Sequence, residues 1–331
     1  MEEALPPARP VANEALTPCE TVTVTTTARL HFGFLDPSGR GPNPFGSFGL
    51  ALDRPQTRLT LSRGEDWRIE GPEAERAERY LRTLGAIAGI ETAYRLSIDR
   101  VITPHAGLGS GTQLALAVGA AFARLEGRAM SPDEIAGLLG RGARSGIGIG
   151  TFTDGGLVLD SGPQEGALPT IRARLPFPDD WRVVLVFDET RAGLSGLDEV
   201  SAFATLPEFP ARATAALADR VDNALAAVDS GDFERYAAEV GALQAAMGEY
   251  FGPLQGGPFV SPGIASIMGR LRAAGVEGIG QSSWGPTGFA FAPSQAEAET
   301  LLDAIGADGA HAGLRFEIAQ GRNSGAEIGT H

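Results

Sequence analysis

The spacing of apolar and polar residues changes period several times along the chain, and each change marks an element. Residues 21–27, TVTVTTT, alternate β-branched side chains with a period of two and predict a strand that leads into Ala28-Arg29-Leu30-His31-Phe32-Gly33-Phe34-Leu35-Asp36, where a chain reversal presents Asp36 beside a glycine-rich loop. The Pro- and Gly-rich run 37–44 then breaks it. Further strands are predicted at 49–61, 94–102, 156–160 and 181–187, with a helix over 73–88. In the second half the period lengthens to that of helices at 210–228, 232–250 and 264–274, before strand-like runs return at 278–281, 288–292 and 313–318. This order predicts an α+β fold with a helix-rich second half, free of repeats and heptads. Residues 1–19 are rich in Pro, Ala and Glu without periodicity and read as a disordered tail. Turn residues at 161–169 place a boundary between a first domain at 20–162 and a second at 163–331.

Composition narrows the classes of function. At 331 residues and 43% hydrophobic the chain has the makings of an ordinary packed core. It contains no apolar run of membrane-spanning length, and its acidic, proline-rich start is unlike a secretory signal, so no membrane partner and a cytoplasmic location are expected. The single Cys19 fits a reducing compartment, and the 4 histidines show no zinc spacing. A net charge of −14 argues against nucleic acid, whose binding needs a basic face, and leaves small-molecule substrates. All 27 basic residues are Arg. Schiff-base, pyridoxal and P-loop chemistry, each of which needs a lysine amine, are thereby excluded.

The densest candidate chemistry is Thr103-Pro104-His105-Ala106-Gly107-Leu108-Gly109-Ser110-Gly111-Thr112-Gln113, which leads into the helical run Leu114-Ala115-Leu116-Ala117-Val118-Gly119-Ala120-Ala121. Such a loop can turn backbone N–H groups, two hydroxyls and a helix N-terminus on one phosphate. Three other segments carry weaker signals. Arg29 and His31 share a strand face with Asp36 beyond them, which fits a carboxylate and cation site or a structural ion pair beside a buried histidine. Arg141, Arg144 and Ser145 lie among glycines after a helix that starts near Pro132; they fit phosphate recognition, or cations complementing a helix C-terminus. Gln281-Ser282-Ser283-Trp284-Gly285-Pro286 is a polar turn whose indole can stack on a substrate ring or pack on the neighbouring domain.

In this order the four segments resemble the GHMP kinase superfamily, whose second motif is a Pro followed by Gly-Leu-Gly-Ser-Ser at the head of a helix. Here it takes the form of Pro104 with Gly107-Leu108-Gly109-Ser110, and 280–288 stands where the superfamily keeps its third glycine-rich loop. Gly111-Thr112-Gln113 replaces the Ser-Ala-Ala of the kinases, and Ser145-Gly146-Ile147-Gly148 resembles their Ser-Gly-x-Asp segment with Gly148 in place of the catalytic aspartate. One branch, the β-ribofuranosylaminobenzene 5′-phosphate synthases, is similar in these departures too. The resemblance implies a two-domain fold with a mixed or antiparallel sheet and packed helices. It also implies a homodimeric pentosyltransferase of tetrahydromethanopterin biosynthesis. The reaction would convert phosphoribosyl diphosphate and 4-aminobenzoate, with Mg²⁺, to the ribosylated aniline 5′-phosphate, carbon dioxide and diphosphate.

The residue roles follow from that resemblance. The stretch from His105 through Gly107, Leu108, Gly109, Ser110, Gly111 and Thr112 to Gln113 would receive the diphosphate, and Arg141, Arg144 and Ser145 other phosphate oxygens. Asp36 would hold the metal or face the developing cation, Arg29 or His31 would meet the acceptor carboxylate, Trp284 would stand against the ring, and Ser282 and Ser283 would also bind substrate. The alternative is an ATP-dependent kinase of the same superfamily, with Asp154 the nearest substitute for the missing carboxylate.

Overall fold

In the computed structural model residues 19–40, 45–164, 167–193, 203, 205–306 and 313–331 are described; the tail expected at 1–19 lies outside them except for Cys19. The alternating run becomes β1, Thr21–Asp36, which forms a long antiparallel hairpin with β2, Phe45–Gly64. There follow β3 (Arg68–Glu70), α1 (Ala74–Ala88), β4 (Ala93–Arg100), α2 (Ser110–Leu125), α3 (Pro132–Leu138), α4 (Ile147–Thr153), β5 (Leu157–Asp160), β6 (Ile171–Leu175) and β7 (Arg182–Asp188). The remainder comprises α5 (Ala211–Ser230), α6 (Phe233–Gln255), α7 (Pro262–Ala273), β8 (Ile279–Gln281), β9 (Thr287–Ala292), α8 (Gln295–Gly306), β10 (Leu314–Gln320) and β11 (Glu327–Thr330).

Two sheets result. The first has 7 strands in the order β11-β1-β2-β4-β3, with β5 on the far part of β2 and β6 on β5; the second has 4 strands in the order β10-β7-β9-β8. All pairs are antiparallel except β3 with β4, so the expected α+β class with a mixed sheet holds. The boundary expected at 162/163 falls inside the first sheet, because β5 and β6 pair across those turn residues. A turn-rich stretch marks a hairpin connection as well as it marks a linker. The C-terminal β11 also returns to the first sheet, beside β1.

Packing follows the alternation of side chains. On the first sheet Val22, Val24, Leu59, Leu61, Leu96 and Ile98 face α1 and α2. On β7, Val183, Leu185 and Phe187 join a central core, whereas Val184 and Val186 turn to the opposite face and pack with α7. A strand buried on both faces reads as a continuous apolar run, as residues 183–187 do. Phe32, fully buried, joins the two sheets through ring contacts with Phe48 at 5.3 Å, Phe289 at 5.6 Å and Phe291 at 5.9 Å.

Helix limits are set locally. Ser131 and Glu134 form a capping box at α3 with Pro132 behind it, and Ser261 accepts from Ile264 N at the start of α7. The glycine-rich 146–150 run is helical as α4, which sequence reasoning missed because glycine disfavours helix; its residues are buried against α2 and β5. Also missed were β3, β6, α8 and β11, all short or amphipathic only in part. Among the described residues no helix is long and apolar enough to cross a membrane.

Candidate active site

The sequence around β1 does not form one straight ladder. Its register with β2 shifts between Thr27 and Arg29 and again between His31 and Gly33. Such irregularities free backbone groups for other partners and re-aim side chains. Here the freed groups meet both glycine loops: Arg29 N donates to Leu108 O at 3.1 Å, His31 N to Ser282 Oγ at 3.0 Å, and Ser283 N to His31 O at 3.1 Å. Arg29 Nη1 reaches Gly107 O at 2.6 Å, and Ser282 Oγ donates to the same carbonyl at 2.7 Å. Thr287 Oγ1 adds a bond to Ala106 O at 2.7 Å.

The loops touch closely enough to require glycine. A Cβ on Gly107 would stand 2.1 Å from Ser282 O, and one on Gly285 would stand 2.1 Å from Gly107 N. Gly107 and Gly109 also adopt left-handed backbone, at φ 78 and φ 82. Two non-glycine residues beside them share that conformation, His105 at φ 58 and Ser283 at φ 55, and each costs about 1–2 kcal/mol. The rest of the structure holds this strain; Gly193 N, for instance, donates to His105 O at 2.8 Å.

The loop's exposed edge is built for an anion. Thr112 N and Gln113 N both donate to Gly109 O and begin α2, which leaves the Ser110 and Gly111 amides open at its N-terminus. The first turn of α2 carries no acidic residue. Arginines surround it instead: the Arg29 side chain would lie 3.3 Å from a Cβ on Gly109, and Arg141 Nη1 3.7 Å from one on Gly111. Arg144 stacks over the Phe203 ring at 4.9 Å and acts electrostatically on His31. Three guanidinium groups, of Arg29, Arg141 and Arg144, thus gather around the loop in a chain of net charge −14.

His31 is buried in the same place, 3% exposed, with its ring 4.7 Å from that of Phe34 and no hydrogen-bond partner at Nδ1 among the described residues. Burial, then the charges of Arg29 and Arg144, hold the imidazole well below the ordinary histidine range. It is therefore uncharged near neutrality.

Several residues expected to bind ligand turn out to brace the site. The Gln113 side chain is fully buried, accepts from Thr26 Oγ1 and donates to Gly148 O at 2.8 Å, so both ends of its amide are used in joining β1, α2 and α4. Ser282 is fully buried between the loops. Trp284, 4% exposed, packs on Phe251 at 4.6 Å and Phe203 at 5.6 Å. Its indole is a core side chain rather than an open stacking platform. Leu108 is buried, whereas the His105 side chain is exposed.

Asp36 stands at the turn end of β1, away from the Arg29 and Gly107 contact. Its Oδ1 accepts from Ser38 N at 3.1 Å and Ser38 Oγ at 2.6 Å. Among the described residues no three His, Cys, Asp or Glu groups come together to hold a metal. The residues present fit a divalent ion that arrives on a diphosphate better than one held by the protein.

Sequence reasoning missed three residues. Asp160, fully buried at the end of β5, accepts from Ser47 N at 2.8 Å, Ser47 Oγ at 2.6 Å, Gly146 N at 2.6 Å and Gly162 N at 2.8 Å, and so fixes the Ser145 turn to β2. Gln244 of α6 accepts from Gln281 N at 2.7 Å and donates to Phe32 O, tying the second half to β1. Arg76 of α1 brings a nitrogen to 3.9 Å from a Cβ on Gly111. An isolated Asp, Gln or Arg in an ordinary element carries no sequence signal for such a role.

Comparison with known proteins agrees with this anatomy. Residues 74–156 match the family model described as GHMP kinases N terminal domain, and residues 224–311 the one described as GHMP kinases C terminal. A β-ribofuranosylphenol 5′-phosphate synthase of Archaeoglobus fulgidus is 31% identical over 327 residues, which cover 92% of this chain and 98% of that protein. The chain belongs to the β-ribofuranosylphenol 5′-phosphate synthase family. Another synthase of this name, from Methanothermobacter thermautotrophicus, is 28% identical across 92% of this chain and 97% of its own length. In fold, the family member resembles homoserine kinase from Cytophaga hutchinsonii, with a TM-score of 0.65 at 17% identity over 93% of this chain and 97% of that one. Mevalonate diphosphate decarboxylase from Staphylococcus aureus gives a TM-score of 0.61 at 15% identity over 93% and 98%.

Proposed function

We propose that the protein transfers the phosphoribosyl group of 5-phosphoribosyl 1-diphosphate to a para-substituted benzoate with loss of its carboxylate. The observation that carries this reading is the loop at the head of α2, whose open amides face arginines while the kinase carboxylate has no counterpart at Gly148. A kinase needs a group there to orient its nucleophile or metal. A diphosphate leaving group needs only donors and positive charge.

As the bond from ribose C1 to the diphosphate breaks, negative charge grows on the leaving group against the Ser110 and Gly111 amides and the Ser110 hydroxyl. A Mg²⁺ ion carried by the diphosphate would supply further charge neutralisation there. The acceptor ring attacks C1 through the carbon that bears the carboxylate, on the face opposite the leaving group, which gives the β product. The para substituent donates its electron pair to the ring. The C–C bond to the carboxylate then breaks, its electrons restore the aromatic ring, and carbon dioxide leaves.

The chain therefore supplies orientation and electrostatics rather than a covalent nucleophile. The carboxylate of the acceptor falls to Arg29 and Arg144. Uncharged His31 is suited to accept a hydrogen bond from the para substituent instead of pairing with the carboxylate. Two para substituents fit this chemistry: the amine of 4-aminobenzoate, implied by the resemblance of the motifs, and the hydroxyl implied by the relatives' ribofuranosylphenol name. The reading also carries a cytoplasmic homodimer.

The test is to supply phosphoribosyl diphosphate, Mg²⁺ and carboxyl-labelled 4-aminobenzoate or 4-hydroxybenzoate, and to follow carbon dioxide and diphosphate together. Release in equal amounts, dependent on both substrates, is expected with at least one acceptor. ATP turnover on a small alcohol without such release would establish the kinase alternative.

A further inference from the structure

Three positive features meet at Gly111. One is the start of α2, with open amides and no acidic side chain in its first turn. The second is Arg141, with Nη1 3.7 Å from the position a Cβ on Gly111 would take. The third is Arg76, reaching from α1 to 3.9 Å from the same point. Like charges drawn to one small volume beside a helix N-terminus repel each other unless an anion joins them.

The surroundings hold the two guanidinium groups in place without cancelling both. Glu73 pairs with Arg76 at 2.9 Å, from a left-handed backbone at φ 61 that a glutamate rarely adopts. Arg141 instead has a neutral partner: its Nη2 donates to the Tyr80 hydroxyl, its guanidinium lies 5.6 Å from the Tyr80 ring centroid, and its buried Nε has no hydrogen-bond partner among the described residues. Tyr80 and Arg76 lie one helical turn apart on α1, so that helix presents both the second cation and the support for the first. The missing side chain at Gly111 keeps the shared volume clear.

We propose that Arg76 and Arg141 form a clamp over Gly111 for the outer phosphate of the donor's diphosphate. This rests on the phosphoribosyl-transfer reading of the site, and it adds Arg76, a residue of the first helix, to the phosphate loop. Two planar guanidinium groups match the bidentate geometry of a phosphate that carries a double charge. The arrangement divides the cleft: the leaving group lies toward α1 and α3, and the acceptor toward Arg29, His31 and Arg144.

The test uses inorganic diphosphate with Mg²⁺ as calorimetric probe, on the full chain and on Arg76→Gln, Gly111→Ala and the exposed control Arg79→Gln. The clamp predicts at least a tenfold weaker diphosphate affinity for Arg76→Gln and less than a twofold change for Arg79→Gln, which makes the same change in net charge. Arg76→Lys should recover part of the loss, since it restores charge but not the fork. Gly111→Ala keeps every charge but puts a methyl where the phosphate would sit; its affinity should fall while its melting temperature holds or rises, because alanine is the better helix former. Diphosphate affinity within twofold of wild type in both Arg76→Gln and Gly111→Ala would overturn the clamp. A wild-type protein that binds diphosphate through Arg76 yet releases no carbon dioxide would instead retain the clamp and overturn the transfer reading.

Discussion

The Thr112 methyl fills the space in which a side chain at position 148 would project: its Cγ2 lies 2.9 Å from the place a Cβ on Gly148 would occupy. The two departures from the kinase motifs are therefore one steric unit. Gly148→Ala should cost about 1–3 kcal/mol from overpacking, and most of that should return in a double variant with Thr112→Ser, which removes the methyl. Denaturant melts of the four proteins check it. Strictly additive effects would show that the contact does not decide the residue at 148.

The pH dependence of stability carries the signature of His31. Its folded-state pKa lies below the ordinary 6.5, so between those two values the unfolded chain binds the extra proton. The stabilisation that this group contributes is complete above pH 6.5 and is lost as the pH falls toward the folded value. His31→Gln should therefore flatten that part of the stability profile, as read from melting temperatures across pH 5 to 8. An unchanged acid limb in the variant would count against a buried neutral imidazole.

Ser282 holds β1 and the phosphate loop together with one hydroxyl. Ser282→Ala removes the acceptor for His31 N and one of the two donors to Gly107 O, and should destabilise by about 1–2 kcal/mol because the buried His31 N–H loses its partner while Gly107 O keeps Arg29. The Michaelis constant for the donor should rise as the loop loses its fixed position. Steady-state kinetics beside urea melts separate the two effects, and an unaltered Michaelis constant would mean that Arg29 suffices to place the loop.

Tyr236 offers the opposite sign. Its ring packs on Phe177, Trp181 and Phe291, its buried hydroxyl has no hydrogen-bond partner among the described residues, and burial pushes its pKa well above the ordinary tyrosine range. Tyr236→Phe should leave stability unchanged or raise it by about 1 kcal/mol. A clear loss in a urea titration would reveal an ordered water serving the hydroxyl.

Much of this architecture is legible in the chain because long elements repeat their period many times. α1 and α5 lie close to their expected limits, β1 and α6 run on past theirs to Asp36 and Gln255, and the phosphate loop announces itself through glycine, hydroxyls and a following apolar helix. What stays hidden is the direction in which side chains are spent. Gln113, Ser282 and Trp284 stand in ligand-binding motifs yet satisfy the protein's own groups, since a sequence does not show that Thr26, His31 and Phe251 arrive from elsewhere to engage them. Arg76 and Asp160 are the reverse case, ordinary residues in ordinary elements that tertiary packing brings to the site. The turn residues at 161–169 lie in a connection between two paired strands, and a turn carries the same residues whether it joins two strands of one sheet or two domains.

The central claim is that a carbon–carbon bond forms at the ring carbon that gives up carbon dioxide. It is tested most directly by carbon-13 magnetic resonance of the product made from donor labelled at ribose C1 and acceptor labelled at the carboxyl-bearing ring carbon. The account predicts a one-bond coupling between the two labels, with the carboxyl carbon gone. A product that keeps its carboxylate and joins the ribose through nitrogen or oxygen would contradict it.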